Sequence, residues 1–97
     1  MKIKLVTIIT ESILEQMLVN DIKNLGAKGY TILEARGSGA HGNRSADWGQ
    51  NQNIQIEIIC NESTANAICE HCQKNYYPYY AMVIFTSDIQ VLRSDKF

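Results

Sequence analysis

The feature that most constrains this chain is an 18-residue segment, residues 36–53, which lacks hydrophobic periodicity and lies between two segments typical of strands. It carries four glycines: Gly37, Gly39, Gly42 and Gly49. Connections within compact domains usually span about 4 to 6 residues, so a loop of this length is typical of a functional element. Its glycines let backbone N–H groups approach an anion, and His41 and Arg44 add donors. We therefore predict a loop that senses a ligand or a partner; a flexible hairpin loop without a ligand is the alternative.

The segment before this loop begins with a predicted strand and a predicted helix. Residues 2–10 alternate at their start and then become continuously apolar and β-branched, as in a central strand. Ser12 and Glu15 have the spacing of a capping box, which predicts that a helix begins there. Its apolar stripe consists of Leu14, Met17, Leu18, Ile22 and Leu25. Gly26 is expected to end the helix in the left-handed conformation, and Gly29 provides a second hinge before the next strand.

Two further strands flank the long loop. Residues 30–35 are rich in strand formers and lead into it. After the loop, residues 53–60 alternate, with Ile54, Ile56 and Ile58 on one face and polar side chains on the other. This alternation is typical of an antiparallel strand with one solvated face. The two strands are therefore predicted to form a hairpin whose tip is the long loop.

A second helix is predicted after residues 61–64, which supply capping side chains. Its apolar stripe consists of Ala65, Ile68, Cys69, Cys72 and Tyr76. Pro78 lies beyond its end, in a tyrosine-rich corner. Residues 81–86 predict the fourth strand, and residues 88–92 predict a short extra C-terminal strand.

The predicted order βαββαβ indicates an α+β fold of the ferredoxin-like kind: a four-stranded antiparallel sheet with both helices on one face. We expect residues 1–97 to form one domain, which is large enough to fold alone. Apolar side chains occur on both faces of the predicted strands, so we expect a second copy of the chain to cover the open face.

Composition excludes several classes of function. A net charge of −1 gives no reason to expect nucleic acid as the partner. No apolar segment approaches the roughly 18 residues of a spanning helix and neither end carries an address, so we expect no membrane insertion and a cytoplasmic location. The three cysteines are expected to be reduced. Cys69 and Cys72 share the apolar stripe, which favours core packing over metal or redox chemistry, so we predict no metal site.

Catalysis has little support in the sequence. No serine or cysteine has an obvious base beside it, and no carboxylate pair stands apart from helix faces and turns, so we predict no catalytic residues and a protein that is not an enzyme. Trp48 has no evident role in a core. We predict that it contacts a partner protein; the alternative is that it packs on the protein's own surface.

Three segments carry a resemblance to a known family: residues 26–31 (GAKGYT), residues 34–39 (EARGSG), and the long loop that ends at residues 54–58 (IQIEI). Together they resemble the PII signal-transduction superfamily over essentially the whole chain, with residues 36–39 opening its mobile T-loop. The glycine- and lysine-rich B-loop of the nitrogen-regulatory branch is absent, and residues 76–80 (YYPYY) stand in its place. This replacement is closer to the carbon-sensing members, the regulators of bicarbonate transporters (SbtB type) and of carboxysome operons (CPII type).

The resemblance implies a homotrimer with three inter-subunit clefts. Each cleft would bind an adenine nucleotide, such as AMP, cyclic AMP, ADP or ATP, with no covalently bound cofactor. The nucleotide would set the conformation of the T-loop, which would regulate a membrane transporter for bicarbonate or another inorganic anion and recruit the protein to the inner membrane.

The nucleotide-binding residues implied by the resemblance and by residues 37–44, which we call the glycine-rich arm, are Gly37, Ser38, Gly39, Ala40, His41, Arg44 and Met82. Gly37, Gly39 and Arg44 match the glycines and the phosphate-binding arginine of the transporter-regulator type. His41 and Met82 depart from it, since they stand where that type has a second arginine and a glycine. Arg44 as a solvated loop charge is the alternative.

The tyrosines of residues 76–80 are expected to stack on adenine or to pack at a subunit seam. Two other classes of function stay open: a trimeric metal-binding or metal-tolerance protein of the CutA kind, and a small enzyme that hydrolyses the bound nucleotide.

Overall fold

The computed structural model of this protein describes residues 2–39, 42–43 and 52–93. Its elements are β1 (Ile3–Glu11), a 3₁₀ turn (Ser12–Leu14), α1 (Glu15–Asn24), β2 (Thr31–Ala35), β3 (Ser38–Gly39), β4 (Gly42–Asn43), β5 (Asn53–Asn61), α2 (Glu62–Asn75) and β6 (Val83–Ile89). Four strands form one antiparallel sheet in the order β2-β5-β1-β6, and β3 pairs with β4 in a separate two-stranded ladder. The predicted ferredoxin-like α+β fold is confirmed.

Both helices pack on one face of the four-stranded sheet. That face is formed by alternate residues of the two central strands, and the pairs Val6–Ile58 and Ile8–Ile56 lie directly opposite each other. The sheet and both helices contribute to one buried core, which includes Val6, Ile8, Leu14, Leu18, Ile22, Ile54, Ile56, Ile58, Cys60, Ala65, Ile68, Cys72, Tyr76 and Met82. The alternation predicted for the third strand is therefore confirmed.

The beginning of the first helix differs from the prediction. β1 continues to Glu11, which pairs with Asn53, so the chain is still extended where the capping box was expected. The backbone N–H of Ser12 donates to the carbonyl of Gln52 at 2.7 Å, and neither helical turn has a side-chain cap. The capping-box prediction was wrong because strand pairing takes the donor that a cap would satisfy. Met17 is exposed, and Val19 joins the buried stripe instead.

The remaining helix ends follow the prediction. Gly26 has φ +115° just past α1, and the next N–H, of Ala27, donates to the carbonyl of Ile22 at 2.9 Å. This is the left-handed closure that glycine favours. At α2, the side chain of Asn61 accepts a hydrogen bond from the backbone N–H of Thr64 at 2.8 Å.

The short extra strand predicted for residues 88–92 is not present in the described part of the chain. Asp88 and Ile89 instead extend β6, because they keep its pairing with β1, and Lys4 forms an ion pair with Asp88 at this point. Leu92 and Arg93 lie in a turn. The fourth strand therefore ends later than predicted, and the extra strand was a misassignment of its C-terminal end.

The sheet face opposite the helices carries apolar side chains. Leu33, Val83 and Phe85 on its two edge strands are 45%, 39% and 48% exposed. The registers of the three strand pairs place them on the same face as four half-buried aliphatic residues: Leu5, Ile9, Ile59 and Ile89. We call this surface the open face.

Candidate functional site

The long loop begins and ends at one end of the sheet. Because neighbouring strands are antiparallel, β1 and β2 end where β5 and β6 begin. We call this end the loop root and define it by four segments, residues 10–12, 35–37, 52–53 and 81–83. The hydrogen bond from Ser12 to Gln52 fixes the returning chain beside the start of the helical region. The loop therefore starts and ends at paired strand ends, since Ala35 pairs with Asn53.

The loop root contains the first of the predicted ligand-binding residues. Gly37 is exposed, and a Cβ at this position would meet no atom within 4 Å. Ser38 and Gly39 continue as β3 and pair with Asn43 and Gly42 of β4. Four predicted contact residues lie outside the described residues: Ala40, His41, Arg44 and Trp48. The backbone at Gly37 is thus open to a ligand, while the roles of the remaining loop residues stay predictions.

Met82 lies at the same end of the sheet but at the opposite edge. It immediately precedes the edge strand β6, whereas Gly37 follows the other edge strand, β2. Three strand spacings separate these edges, which is about 14 Å. The Met82 side chain is buried in the core, so a ligand bound here would contact the backbone of Met82. One copy of the chain does not bring the two positions side by side.

Side chains at the end of β1 bind both the carbonyl and the N–H of Ala81, which lies just before β6. The Thr10 hydroxyl donates to the carbonyl oxygen of Ala81 at 3.1 Å. The backbone N–H of Ala81 donates to Oε2 of Glu11 at 3.3 Å. A half-buried carboxylate is therefore placed directly beside the exit of the tyrosine-rich corner.

That corner, residues 76–80, is an ordered turn, which we call the tyrosine turn. The N–H groups of Tyr79 and Tyr80 both donate to the carbonyl of Tyr76, at 3.0 and 2.9 Å. The Tyr77 hydroxyl accepts a hydrogen bond from the backbone N–H of Ile84 at 3.0 Å, which holds the turn against the edge strand. Tyr79 and Tyr80 are in edge contact, with ring centroids 6.5 Å apart. Even so, Tyr79 remains 75% exposed.

The first residue of the tyrosine turn is anchored to α1. The Tyr76 hydroxyl donates to Oδ2 of Asp21, and His71 Nε2 lies 2.9 Å from the same oxygen. Asn75 Nδ2 lies 3.1 Å from His71 Nδ1, so the two ring nitrogens face Asn75 and Asp21. Burial and the hydrogen bond to Asp21 raise the pKa of Tyr76. Tyr76 therefore stays a neutral donor.

The cysteines lie within the packing of β5 and α2. Burial raises the pKa of Cys60 to about 11 and that of Cys72 to about 12. Burial also raises the pKa of the half-buried Cys69. Since the thiolate is the reactive and metal-binding form, these shifts oppose thiol chemistry. In residues 2–39, 42–43 and 52–93, no group of three or more His, Cys, Asp and Glu is placed to hold a metal ion.

Comparison with known families decides the identity of the chain. The family model of the nitrogen regulatory protein P-II matches residues 3–96. The chain belongs to the P-II family. The resemblance inferred from the glycine-flanked segments is thereby confirmed. In the described part of this P-II protein, no helix is long and apolar enough to cross a membrane.

Solved structures of P-II-like proteins match over nearly the full length. A PII-like signalling protein of Thermus thermophilus is 47% identical, with a TM-score of 0.85 over 99% of this chain and 95% of that one. CPII of Thiomonas intermedia, bound to ADP and bicarbonate, is 28% identical, with a TM-score of 0.86 over 100% and 95%. CPII bound to ADP, AMP and acetate is 28% identical, with a TM-score of 0.85 over 99% of this chain and 94% of that one.

Some residues at the loop root of this P-II protein were not found by sequence reasoning. Thr10 was assigned only to the end of the first strand and Glu11 to no element, yet their side chains fix Ala81. These contacts join residues 71 and 70 positions apart, so no local pattern reveals them. The only available signal was the family topology, which places the end of β1 beside the start of β6.

Proposed function

We propose that this P-II protein is a homotrimeric sensor that binds adenine nucleotides in the clefts between its subunits. The observation that carries the proposal is the position of Gly37 and the tyrosine turn at opposite edges of one end of the sheet. A cleft that uses both edges needs the β2 edge of one copy and the β6 edge of the next. A ring of three copies repeats this contact and closes on itself.

The open face supports the assembly. It is apolar along both edge strands, where Leu33, Val83 and Phe85 are exposed. Monomeric proteins rarely leave a contiguous apolar surface of this kind in water. Packing of three open faces around one axis would bury it and would bring the β2 and β6 edges of neighbouring copies together at the loop root.

The nature of the ligand is supported by the relatives. Thiomonas CPII is bound to ADP and bicarbonate in one structure and to ADP, AMP and acetate in another. In this chain, the exposed backbone at Gly37 leads into the glycine-rich arm, in which Arg44 and His41 are the proposed phosphate contacts. A guanidinium forks onto phosphate oxygens, and glycine removes the side chain that would block them. Bicarbonate is a candidate second ligand.

The signalling output is assigned to the long loop. Nucleotide phosphates at the base of the arm would fix its conformation and thereby position Trp48 for a partner protein. We propose a membrane transporter for bicarbonate or another inorganic anion as this partner, which would recruit the protein to the inner membrane. Nucleotide and partner must then affect each other's affinity by the same factor.

The experiment is calorimetric titration of the purified protein with AMP, cyclic AMP, ADP and ATP, with its mass in solution measured in parallel. The proposal expects a trimer and three equivalent sites per trimer. Arg44→Ala should weaken nucleotide binding by about tenfold or more, since a charge-assisted contact to phosphate is lost. Lys74→Ala removes the same charge from the exposed end of α2 and should leave the affinity unchanged. A parent protein that binds none of the four nucleotides would disprove the proposed function.

A further inference from the structure

Two large apolar side chains are exposed where the first helical region begins. Ile13 is 81% exposed in the 3₁₀ turn, and Met17 is 53% exposed in the first turn of α1. The 3₁₀ turn leads directly into α1, and positions four apart share one side of a helix. The two side chains therefore form one apolar surface, which we call the α1 patch.

Neither the core nor the proposed trimer uses the α1 patch. Leu14, Leu18 and Ile22 provide the buried contacts of this region. Since α1 packs on the sheet face opposite the open face, packing of three open faces would leave the patch in water. Adjacent exposed apolar side chains are typical of a contact surface, and the flexible methionine side chain adapts to the shape of a partner.

The α1 patch borders the returning end of the long loop. The backbone N–H of Ser12 donates to the carbonyl of Gln52 at 2.7 Å, and Ile13 is the next residue. The patch thus begins at the loop root. A partner that engages the long loop approaches this end of the sheet and meets the α1 patch from the same side.

The charge around the α1 patch indicates the chemistry of the partner. The sequence has no Lys, Arg or His from position 5 to position 22, and Glu11 and Glu15 flank Ile13 in the chain. The Glu15 side chain is exposed. Cytoplasmic loops of membrane proteins carry an excess of Lys and Arg, which complements these carboxylates. The same carboxylates disfavour contact with anionic lipid.

We propose that the α1 patch is a second docking surface for the partner and that it takes a basic amphipathic segment from the cytoplasmic side of the transporter. The apolar side chains of this segment pack on Ile13 and Met17, and a Lys or Arg pairs with Glu15. The inference rests on the proposed function, because the segment belongs to the same partner that the long loop contacts. It assigns a role to exposed residues that take no part in nucleotide binding.

The probe is a short amphipathic peptide of leucine and lysine, titrated into the protein with labelled isoleucine and methionine methyl groups. The NMR signals of Ile13 and Met17 should shift on binding, while those of the buried Ile56 should not. Ile13→Ser and Met17→Ser should each weaken the peptide by about tenfold through lost apolar burial. Leu92→Ser removes a 98% exposed apolar side chain at the opposite end of the sheet and should keep the parent affinity.

The charge is tested separately. Glu15→Gln should weaken the leucine–lysine peptide by about threefold, as expected for an exposed ion pair. Glu70→Gln, which removes an exposed carboxylate from α2, is the matched control and should have no effect. A peptide of leucine and glutamate should not bind, and vesicles of anionic phospholipid should leave the Ile13 and Met17 signals unchanged.

Several results would overturn the inference while AMP binding, and with it the proposed function, stands. Equal peptide affinity of the parent and Ile13→Ser/Met17→Ser would place the contact elsewhere. Binding of the patch to anionic vesicles would assign it to lipid. A parent mass above the trimer that the double variant lowers would assign it to a second copy. A change in the fluorescence of Trp48, the one tryptophan, in the peptide-free double variant would assign it to the protein's own loop.

The nucleotide titration separates the two proposals. The double variant should bind AMP as tightly as the parent, since both substituted residues lie outside the proposed cleft. Absence of all nucleotide binding in the parent would instead refute the proposed function, whatever the peptide does.

Discussion

The hydroxyl of Tyr76 donates a hydrogen bond to Oδ2 of Asp21 and so joins the C-terminal end of α2 to α1. The same carboxylate oxygen lies 2.9 Å from Nε2 of His71. Asp21 therefore anchors two groups, and one of them is the residue whose carbonyl accepts both N–H bonds of the tyrosine turn. The geometry of the tyrosine turn depends on this clamp between the helices.

Removal of the clamp donor should be measurable as lost stability. Tyr76→Phe keeps the buried ring and deletes the hydroxyl, so the free energy of unfolding should fall by about 1–2 kcal/mol, with water partly replacing the bond at Asp21. Urea unfolding followed by circular dichroism provides the measurement. Tyr79→Phe deletes a hydroxyl from a ring that is 75% exposed and should have little effect. Equal losses in the two variants would contradict the clamp.

Stability should also decline in alkali because of the buried thiols. The ordinary thiol pKa is 9.0, and burial raises that of Cys60 to about 11 and that of Cys72 to about 12. Above pH 9 the unfolded chain loses these protons while the folded chain keeps them, so the free energy of unfolding falls as the pH rises. Below the ordinary value both states are protonated, and the thiols contribute no pH dependence.

Urea midpoints measured from pH 8 to pH 11 test this linkage. The variant Cys60→Ala/Cys72→Ala is less stable at every pH because it loses packing, but its stability should fall less steeply above pH 9. Cys69→Ala removes the half-buried thiol and should retain most of the parent slope. A double variant with the full parent slope would show that other groups cause the decline.

The elements of the fold were predictable because they depend on local periodicity. Ile54, Ile56 and Ile58 alternate, and the apolar stripe of α2 recurs at helical spacing, so β5 and α2 could be assigned directly. The two failures at element boundaries have one common cause. At Ser12 and at Asp88, pairing with a distant strand decides the conformation, and a local motif gives no information about it.

The candidate site could be predicted only in part for the same reason. Gly37 could be named as a candidate from the sequence, because glycine in an aperiodic segment permits close approach of a ligand. The contacts of Glu11 and Thr10 with Ala81 join the end of the first strand to the beginning of the last one. The exposed rings of the tyrosine turn gave an ambiguous signal, since stacking on a base and packing at a seam select the same residues.

The two glycines that flank the α1–β2 connection should respond differently to alanine. Gly26 has φ +115°, and a Cβ there would lie 3.2 Å from Oγ1 of Thr64. Gly26→Ala should therefore lower the free energy of unfolding by about 1–2 kcal/mol. Gly29→Ala meets no atom within 4 Å and no positive φ, so it should be neutral or slightly stabilising. Thermal unfolding of both variants provides the comparison, and a neutral Gly26→Ala would contradict the assigned helix closure.

A charge on the open face should dissociate the proposed trimer. Phe85 is 48% exposed on the edge strand β6, and Phe85→Glu would place a carboxylate where neighbouring copies pack against apolar side chains. Light scattering after size exclusion should show a shift from about three times 11.0 kDa toward the monomer mass. Gln73→Glu adds the same charge on the exposed side of α2 and should leave the trimer intact. Because each proposed cleft would use two subunits, Phe85→Glu should also lose AMP binding in proportion to the trimer lost. Full AMP binding by a monomeric variant would show that one copy holds a complete site.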